Sequence, residues 1–313
     1  MRNRVRRILL GWPLHAALSL ALIFWLVSDL DWTTVKRTLL AADRLLVAAA
    51  FAVLAPIPLL AAERWRRASA ALGIELSRRF FVRATYAALF AGQFLPAGVG
   101  PDAVRFTLLW RQRVVLGGAI QSIAIDRICG VGALLVLVYA GLPFTMDLLP
   151  AGSTLAIAAA SALLVVGFGT LWLVDRWPLP AAWRRGRLGR ILSLISEGRA
   201  AIVSRHTAIA LAFAVSLHLL AILAVTVLAR AFGYELRFRE LVTVTAAAIL
   251  VSMLPISFNG WGLREGAMML GLSLLAVPRD VALMISLLYG VGSALWSLPG
   301  SLLWRRLAIA RGA

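Results

Sequence analysis

Phe94-Leu-Pro-Ala-Gly-Val-Gly-Pro-Asp-Ala-Val-Arg105 and Met253-Leu-Pro-Ile-Ser-Phe-Asn-Gly-Trp-Gly-Leu-Arg264 each interrupt an otherwise apolar stretch, the first within 80–113 and the second within 241–277. Proline removes a backbone donor, and clustered glycines favour non-helical angles. A helix stopped at membrane depth leaves its terminal N–H and C=O groups without water. That is tolerated only where the backbone is buried in protein or faces a wet cavity. Each break is therefore expected to be the tip of a re-entrant helical hairpin. Pro96, Gly98 and Gly100 would form the first tip, and Pro255, Gly260 and Gly262 the second.

The membrane setting follows from composition. The 313-residue chain is 61% hydrophobic and 15% charged, with a mean hydropathy of +0.89. Soluble domains run nearer ~45–50% apolar and ~25% charged. Apolar runs of about 20 residues suffice to cross a ~30 Å hydrocarbon core. The runs predict spans at 8–28, 45–62, 117–141, 153–174, 207–229 and 281–303. The expected fold is an all-α polytopic integral membrane protein, with about six full transmembrane helices plus two re-entrant helical hairpins in one transmembrane domain, 1–313. Residues 1–28 resemble a signal peptide, with Arg2, Arg4, Arg6 and Arg7 before the apolar run. No small-residue cleavage site follows and the run is long enough to span, so a retained first helix is expected.

Charge sets the orientation. The stretches Arg2–Arg7, Arg64 to Arg83 and Arg176–Arg205 are strongly basic, the last with seven Arg against Glu197 alone. Segments 29–44 and 142–152 are near neutral. Lys and Arg concentrate on the cytoplasmic side, which places both termini and the 176–206 loop in the cytoplasm of a bacterial inner-membrane protein. The alternation holds only if both broken segments return to the side they entered. The net charge of +18 lies in short loops rather than on a separable face, which argues against nucleic acid as a partner. Leu188, Ile191, Leu192 and Ile195 form an apolar stripe in the Arg-rich loop, as expected of an interfacial helix lying on anionic lipid.

The breaks also repeat. Pro96 to Pro255 and Arg105 to Arg264 are both offsets of 159, and Gly130-Val-Gly-Ala-Leu134 matches Gly290-Val-Gly-Ser-Ala294 one insertion later. The repeat halves are roughly 80–141 and 241–303. Three expected crossings separate the hairpins, so the halves enter from opposite faces. That is an inverted-topology repeat, which in transporters places the substrate site where the halves meet.

Six charged residues lie in or beside the apolar segments: Asp102, Arg105, Asp126, Arg127, Arg264 and Glu265. Facing lipid, each would cost roughly 2.5–3.5 kcal/mol, so they must be paired or face a wet interior. Two readings compete. In one they pair structurally, Asp102 with Arg105 on one helical face and Arg264 with a carboxylate across the bundle, or Asp102 caps the hairpin's second leg. In the other, the half-helix N-termini at Pro101–Asp102 and Gly260–Gly262 point amide groups into the bundle, with Arg105 and Arg264 in the first turn. An anionic headgroup would bind there, with Asn259 and Ser257 as neutral partners.

Catalytic chemistry finds little support. There is no nucleophile elbow, P-loop, zinc spacing or paired acid–base constellation, so no catalytic residue, metal or cofactor is expected. Cys129 is the single cysteine, and His15, His206 and His218 stand far apart. His15 and His218 fall in apolar runs and read as buried hydrogen-bonders.

At these motifs the chain resembles the lysylphosphatidylglycerol synthase transmembrane-region family, also called flippase-like proteins. Leu95 to Arg105 looks like the family's first signature, with Pro101 where glycine is common. Asp126-Arg127 stands where the family commonly has Glu-Arg, and Pro255 to Glu265 is the closest match. The resemblance covers roughly 10–305. It implies translocation of lipid, with relatives acting on aminoacylated phosphatidylglycerol, hopanoids or polyprenyl-linked intermediates. Longer relatives carry a soluble aminoacyl-transferase domain. With nothing after residue 313 to hold one, synthase activity is not expected.

The expected function is thus a lipid flippase or transporter for an anionic or polyprenyl-type headgroup. Rival readings are a secondary permease for a small anion, and a membrane accessory subunit that docks a lipid-modifying enzyme. Membrane lipids are the expected partners, with a homo-oligomer or a lipid-biosynthesis enzyme as protein partners.

Overall fold

The computed structural model describes residues 32–95, 99–148, 198–254 and 260–303, with isolated positions elsewhere, and every regular element among them is helical. In chain order these are α1 (Trp32–Ala41), α2 (Arg44–Leu54), α3 (Ile57–Ala70), α4 (Arg78–Gly92), α5 (Val99–Arg111) and α6 (Leu116–Gly141), then α7 (Arg205–Ala231), α8 (Phe238–Ser252), α9 (Leu263–Leu274) and α10 (Arg279–Ser297). Short 3-10 turns, Leu142–Phe144 and Met146–Leu148, follow α6. Nearly all of the expected spans at 8–28 and 153–174, and the stripe from Leu188 to Ile195, lie outside the described residues.

Among the described residues, four helical stretches are long and apolar enough to cross a membrane: Arg44–Ala70, Leu116–Phe144, Arg205–Ala231 and Arg279–Leu303. They answer to the spans expected at 45–62, 117–141, 207–229 and 281–303, with one correction. The first continues past 62 to Ala70, so Glu63, Arg64, Arg66 and Arg67 stand on a helix and not in a basic loop. Ala55 and Pro56 both keep right-handed helical angles, so the proline forfeits a hydrogen bond without ending the span.

Side-chain caps fix where helices begin. The Asp43 carboxylate accepts from the Leu45 and Leu46 amides at 2.8 and 3.1 Å, Ser77 Oγ from Phe80 N at 3.2 Å, and Ser204 Oγ from Thr207 N at 3.2 Å. These bonds satisfy amides that the first helical turn leaves without partners.

Helix ends recur between the two halves of the chain. α3 closes through Gly73 at φ 71°, with Ile74 N donating to Ser69 O at 3.1 Å. α7 closes through Gly233 at φ 84°, with Tyr234 N donating to Ala229 O at 3.0 Å. The following residues read Gly73-Ile-Glu-Leu76 and Gly233-Tyr-Glu-Leu236. α5 and α9 also end alike. Arg113 and Ala276 take left-handed angles, and Val114 N and Val277 N bond back to Leu109 O and Leu272 O, both at 3.2 Å.

Packing repeats with the ends. α3, α4, α5 and α6 pack in sequence, with α3 also on α6, and α7, α8, α9 and α10 do the same, with α7 also on α10. Crossed contacts match as well: α6 lies on α8, α4 on α10, and α3 on α7. The first half buries Trp65, Phe81 and Leu109 together; the second buries Leu241, Met268, Leu272 and Ile285. α4, α5, α8 and α9 hold 15, 13, 15 and 12 residues. At 1.5 Å per residue they reach about 18–23 Å, short of a ~30 Å hydrocarbon core.

Candidate functional site

α3, α5 and α6 bring three arginines and two aspartates together. Asp126, fully buried on α6, receives Arg64 at two points, Nε to Oδ1 at 2.7 Å and Nη2 to Oδ2 at 3.0 Å. Arg105 of α5 adds one contact, Nη1 to Oδ2 at 2.7 Å. Arg127 binds Asp102 with Nε and Nη2 at 2.9 and 3.0 Å. That second pair is the more open, its side chains 32% and 23% exposed against 6% for Arg105.

Aromatic and hydroxyl groups hold this cluster in place. The Arg105 guanidinium lies 4.9 Å from the centre of the Trp65 ring, a cation–π distance. Trp65 Nε1 donates to Ser122 Oγ at 2.9 Å, Ser122 Oγ meets Ser69 Oγ at 2.7 Å, and Phe81 packs edge-on against Trp65 at 5.0 Å. Arg105 Nε is buried with no hydrogen-bond partner among the described residues. Behind Arg64 lies Gly130, where a Cβ would come 3.2 Å from Nη1. His218 of α7 is buried, but its Nε2 has no hydrogen-bond partner among the described residues.

The second half places its arginine differently. Arg264 is the second residue of α9, after Gly262 at φ 88°. Its Nε donates to Glu265 Oε1 at 3.0 Å, and its Nη2 reaches the same oxygen. Glu265 Oε2 also takes the Gly262 N–H at 2.6 Å, closing the first turn from within. The guanidinium lies over Trp261 at 4.7 Å and Tyr289 at 5.6 Å. Gly290 of α10 backs it; a Cβ there would stand 2.1 Å from Nη2.

Several expectations are met and others change. Asp102, Arg105, Asp126 and Arg127 do converge, but Asp102 pairs with Arg127, not Arg105. Arg264 takes its own neighbour rather than a carboxylate across the bundle. Arg264 stands in the first turn as expected, whereas Arg105 sits a turn further into α5, whose first turn holds Asp102. Gly100 belongs to α5, where a Cβ would meet Leu95 Cβ at 2.2 Å. Gly260, at φ 77°, and Gly262 precede α9. Pro96, Gly98, Pro255, Ser257 and Asn259 lie outside the described residues. Arg64 was not anticipated, although its position two residues past the uncharged run 45–62, with Glu63 and Trp65 beside it, fits a helix as well as a loop.

Long apolar helices around a buried, multiply paired charge cluster define a polytopic helical membrane protein with a polar interior. The chain belongs to the lysylphosphatidylglycerol synthase TM region family, whose profile matches residues 12–300. No curated protein matches it.

Proposed function

We propose that this protein moves an anionic or polyprenyl-type lipid headgroup across a bacterial inner membrane, as a transporter and not an enzyme. One observation carries the reading. Beside the first helix break, two buried guanidiniums share one carboxylate, so Arg105 has a single-point contact and an unpartnered Nε, and the three groups together carry one net positive charge. A phosphate suits such a guanidinium, which meets it at two points.

Further features support the path. The legs α4–α5 and α8–α9 are short, and each pair meets at a Pro/Gly break, as re-entrant hairpins require. Matching helix ends and packing in the two halves, with the three crossings expected between the breaks from the sequence, support an inverted-repeat reading. The headgroup would pass between the hairpins along the charged interior while its acyl chains stay in the bilayer. The basic segments place both termini inside.

The test is transport by protein reconstituted in vesicles, with fluorescent phosphatidylglycerol and leaflet-selective quenching. Arg105→Ala keeps Asp126 paired with Arg64 and should fold, whereas Arg264→Ala strands the buried Glu265 carboxylate, so folded yield is measured beside transport for each variant. Each should lose at least about tenfold in transport, with Arg→Lys only partly restoring it. Wild-type transport by a folded Arg105→Ala, Arg264→Ala double variant would end the proposal.

A further inference from the structure

We infer that Arg64 is a positioning residue that neutralises Asp126 so that Arg105 is left free to hold a singly charged phosphodiester headgroup. The inference rests on the headgroup reading above and assigns the two arginines different work. Arg64 grips Asp126 with two hydrogen bonds, 2.7 and 3.0 Å, whereas Arg105 offers one. Arg64 is wedged: it rises from mid-helix in α3, and the absent side chain of Gly130 makes the room it fills. Arg105 instead rests on the flat face of Trp65, itself tied to Ser122, a surface over which a guanidinium can turn.

Charge arithmetic gives the substrate class. Arg64, Arg105 and Asp126 together carry one net positive charge, at side-chain exposures of 12%, 6% and 0%. A phosphodiester monoanion makes that group neutral. When Arg105 swings to it, Asp126 keeps both bonds from Arg64, so no carboxylate is stranded in the interior, where an uncompensated charge is strongly destabilising. A zwitterionic headgroup adds no net charge and gains nothing from the surplus. The Arg264–Glu265 pair is neutral on its own helix and lacks this imbalance.

The experiment measures calorimetric binding of short-chain phosphatidylglycerol to the full chain in phosphatidylcholine nanodiscs, with short-chain phosphatidylcholine and inorganic phosphate as parallel probes. In Arg64→Gln, Arg105 becomes the sole counter-ion of Asp126, and affinity should fall at least about tenfold, as in Arg105→Gln. Arg64→Gln/Asp126→Asn restores one net charge on Arg105 and should recover to within about threefold of wild type. Arg105→Gln/Asp126→Asn carries the same net charge on the wedged Arg64 and should stay weak. Arg64→Lys keeps the neutralising charge and should bind nearly as wild type, which separates charge from mere packing. Inorganic phosphate following the same variant pattern supports the division of labour and assigns the site to free anions. Equal binding of phosphatidylcholine overturns the charge argument. Unchanged affinity in Arg64→Gln, or no recovery in Arg64→Gln/Asp126→Asn while Arg105→Gln is weak, overturns the role of Arg64 alone. Wild-type affinity in Arg105→Gln removes the headgroup reading itself.

Discussion

Gly290 and Gly130 occupy matching places in the two halves, and each leaves the space an arginine fills. The crowding differs: an added Cβ would stand 2.1 Å from Arg264 Nη2 but 3.2 Å from Arg64 Nη1. Gly290→Ala must push Arg264 off Glu265 and Tyr289, so it should cost about 1–3 kcal/mol as overpacking does. Gly130→Ala should cost less, because a shift of tenths of an ångström suffices. Thermal unfolding of the two purified variants in one detergent checks the order. Asp126 sets a second comparison. Asp126→Ala leaves two buried guanidiniums without a counter-charge, a loss of roughly 3–5 kcal/mol. Arg105→Ala leaves the Arg64–Asp126 pair whole and should melt well above it. Equal melting temperatures would mean that Arg105, not Arg64, neutralises Asp126.

Among the helices, the sharpest recurrence is the glycine that ends α3 and α7. A Cβ at Gly73 or Gly233 would meet nothing within 4 Å, so the only penalty of alanine is the left-handed backbone angle. Gly73→Ala and Gly233→Ala should each cost about 1–2 kcal/mol, and by nearly equal amounts, as read from thermal unfolding. The breaks, the Pro-to-Arg spacing and the Gly-Val-Gly repeat were legible in the sequence because proline, glycine and charge are conspicuous against apolar residues. Arg64 was not, because a run of Glu63, Arg64, Arg66 and Arg67 looks like the end of a span. Its partner Asp126 lies 62 residues away and no window includes both. The crosswise pairing of Asp102 with Arg127 escaped for the same reason: residues three apart on one helix suggest each other, and only the packing of α5 on α6 supplies a better partner. The Gly73 and Gly233 tetrapeptides were available at an offset of 160 and extend each half back to include α3 and α7.

Across the bundle, the orientation proposed from the basic residues is one that labelling reads directly. In a Cys129→Ser background, a cysteine at position 190 should resist an impermeant reagent applied outside intact cells and react once the cells are opened. Ready labelling from outside would place the 176–206 loop on the wrong face for an inverted repeat.

The two halves differ in where each arginine's counter-charge is anchored, and that difference governs which parts can slide. Arg264 carries Glu265 on its own helix, and Glu265 also holds the first turn of α9 closed. α9 can therefore shift along α10 as an electrically sealed unit, giving up ring stacking on Tyr289 but separating no opposite charges. α5 has no such freedom. Moving it away from α6 draws Arg105 from Asp126 and Asp102 from Arg127 at once. One helix is thus riveted to its neighbour by two ion pairs, and the other holds its counter-charge as its own ballast.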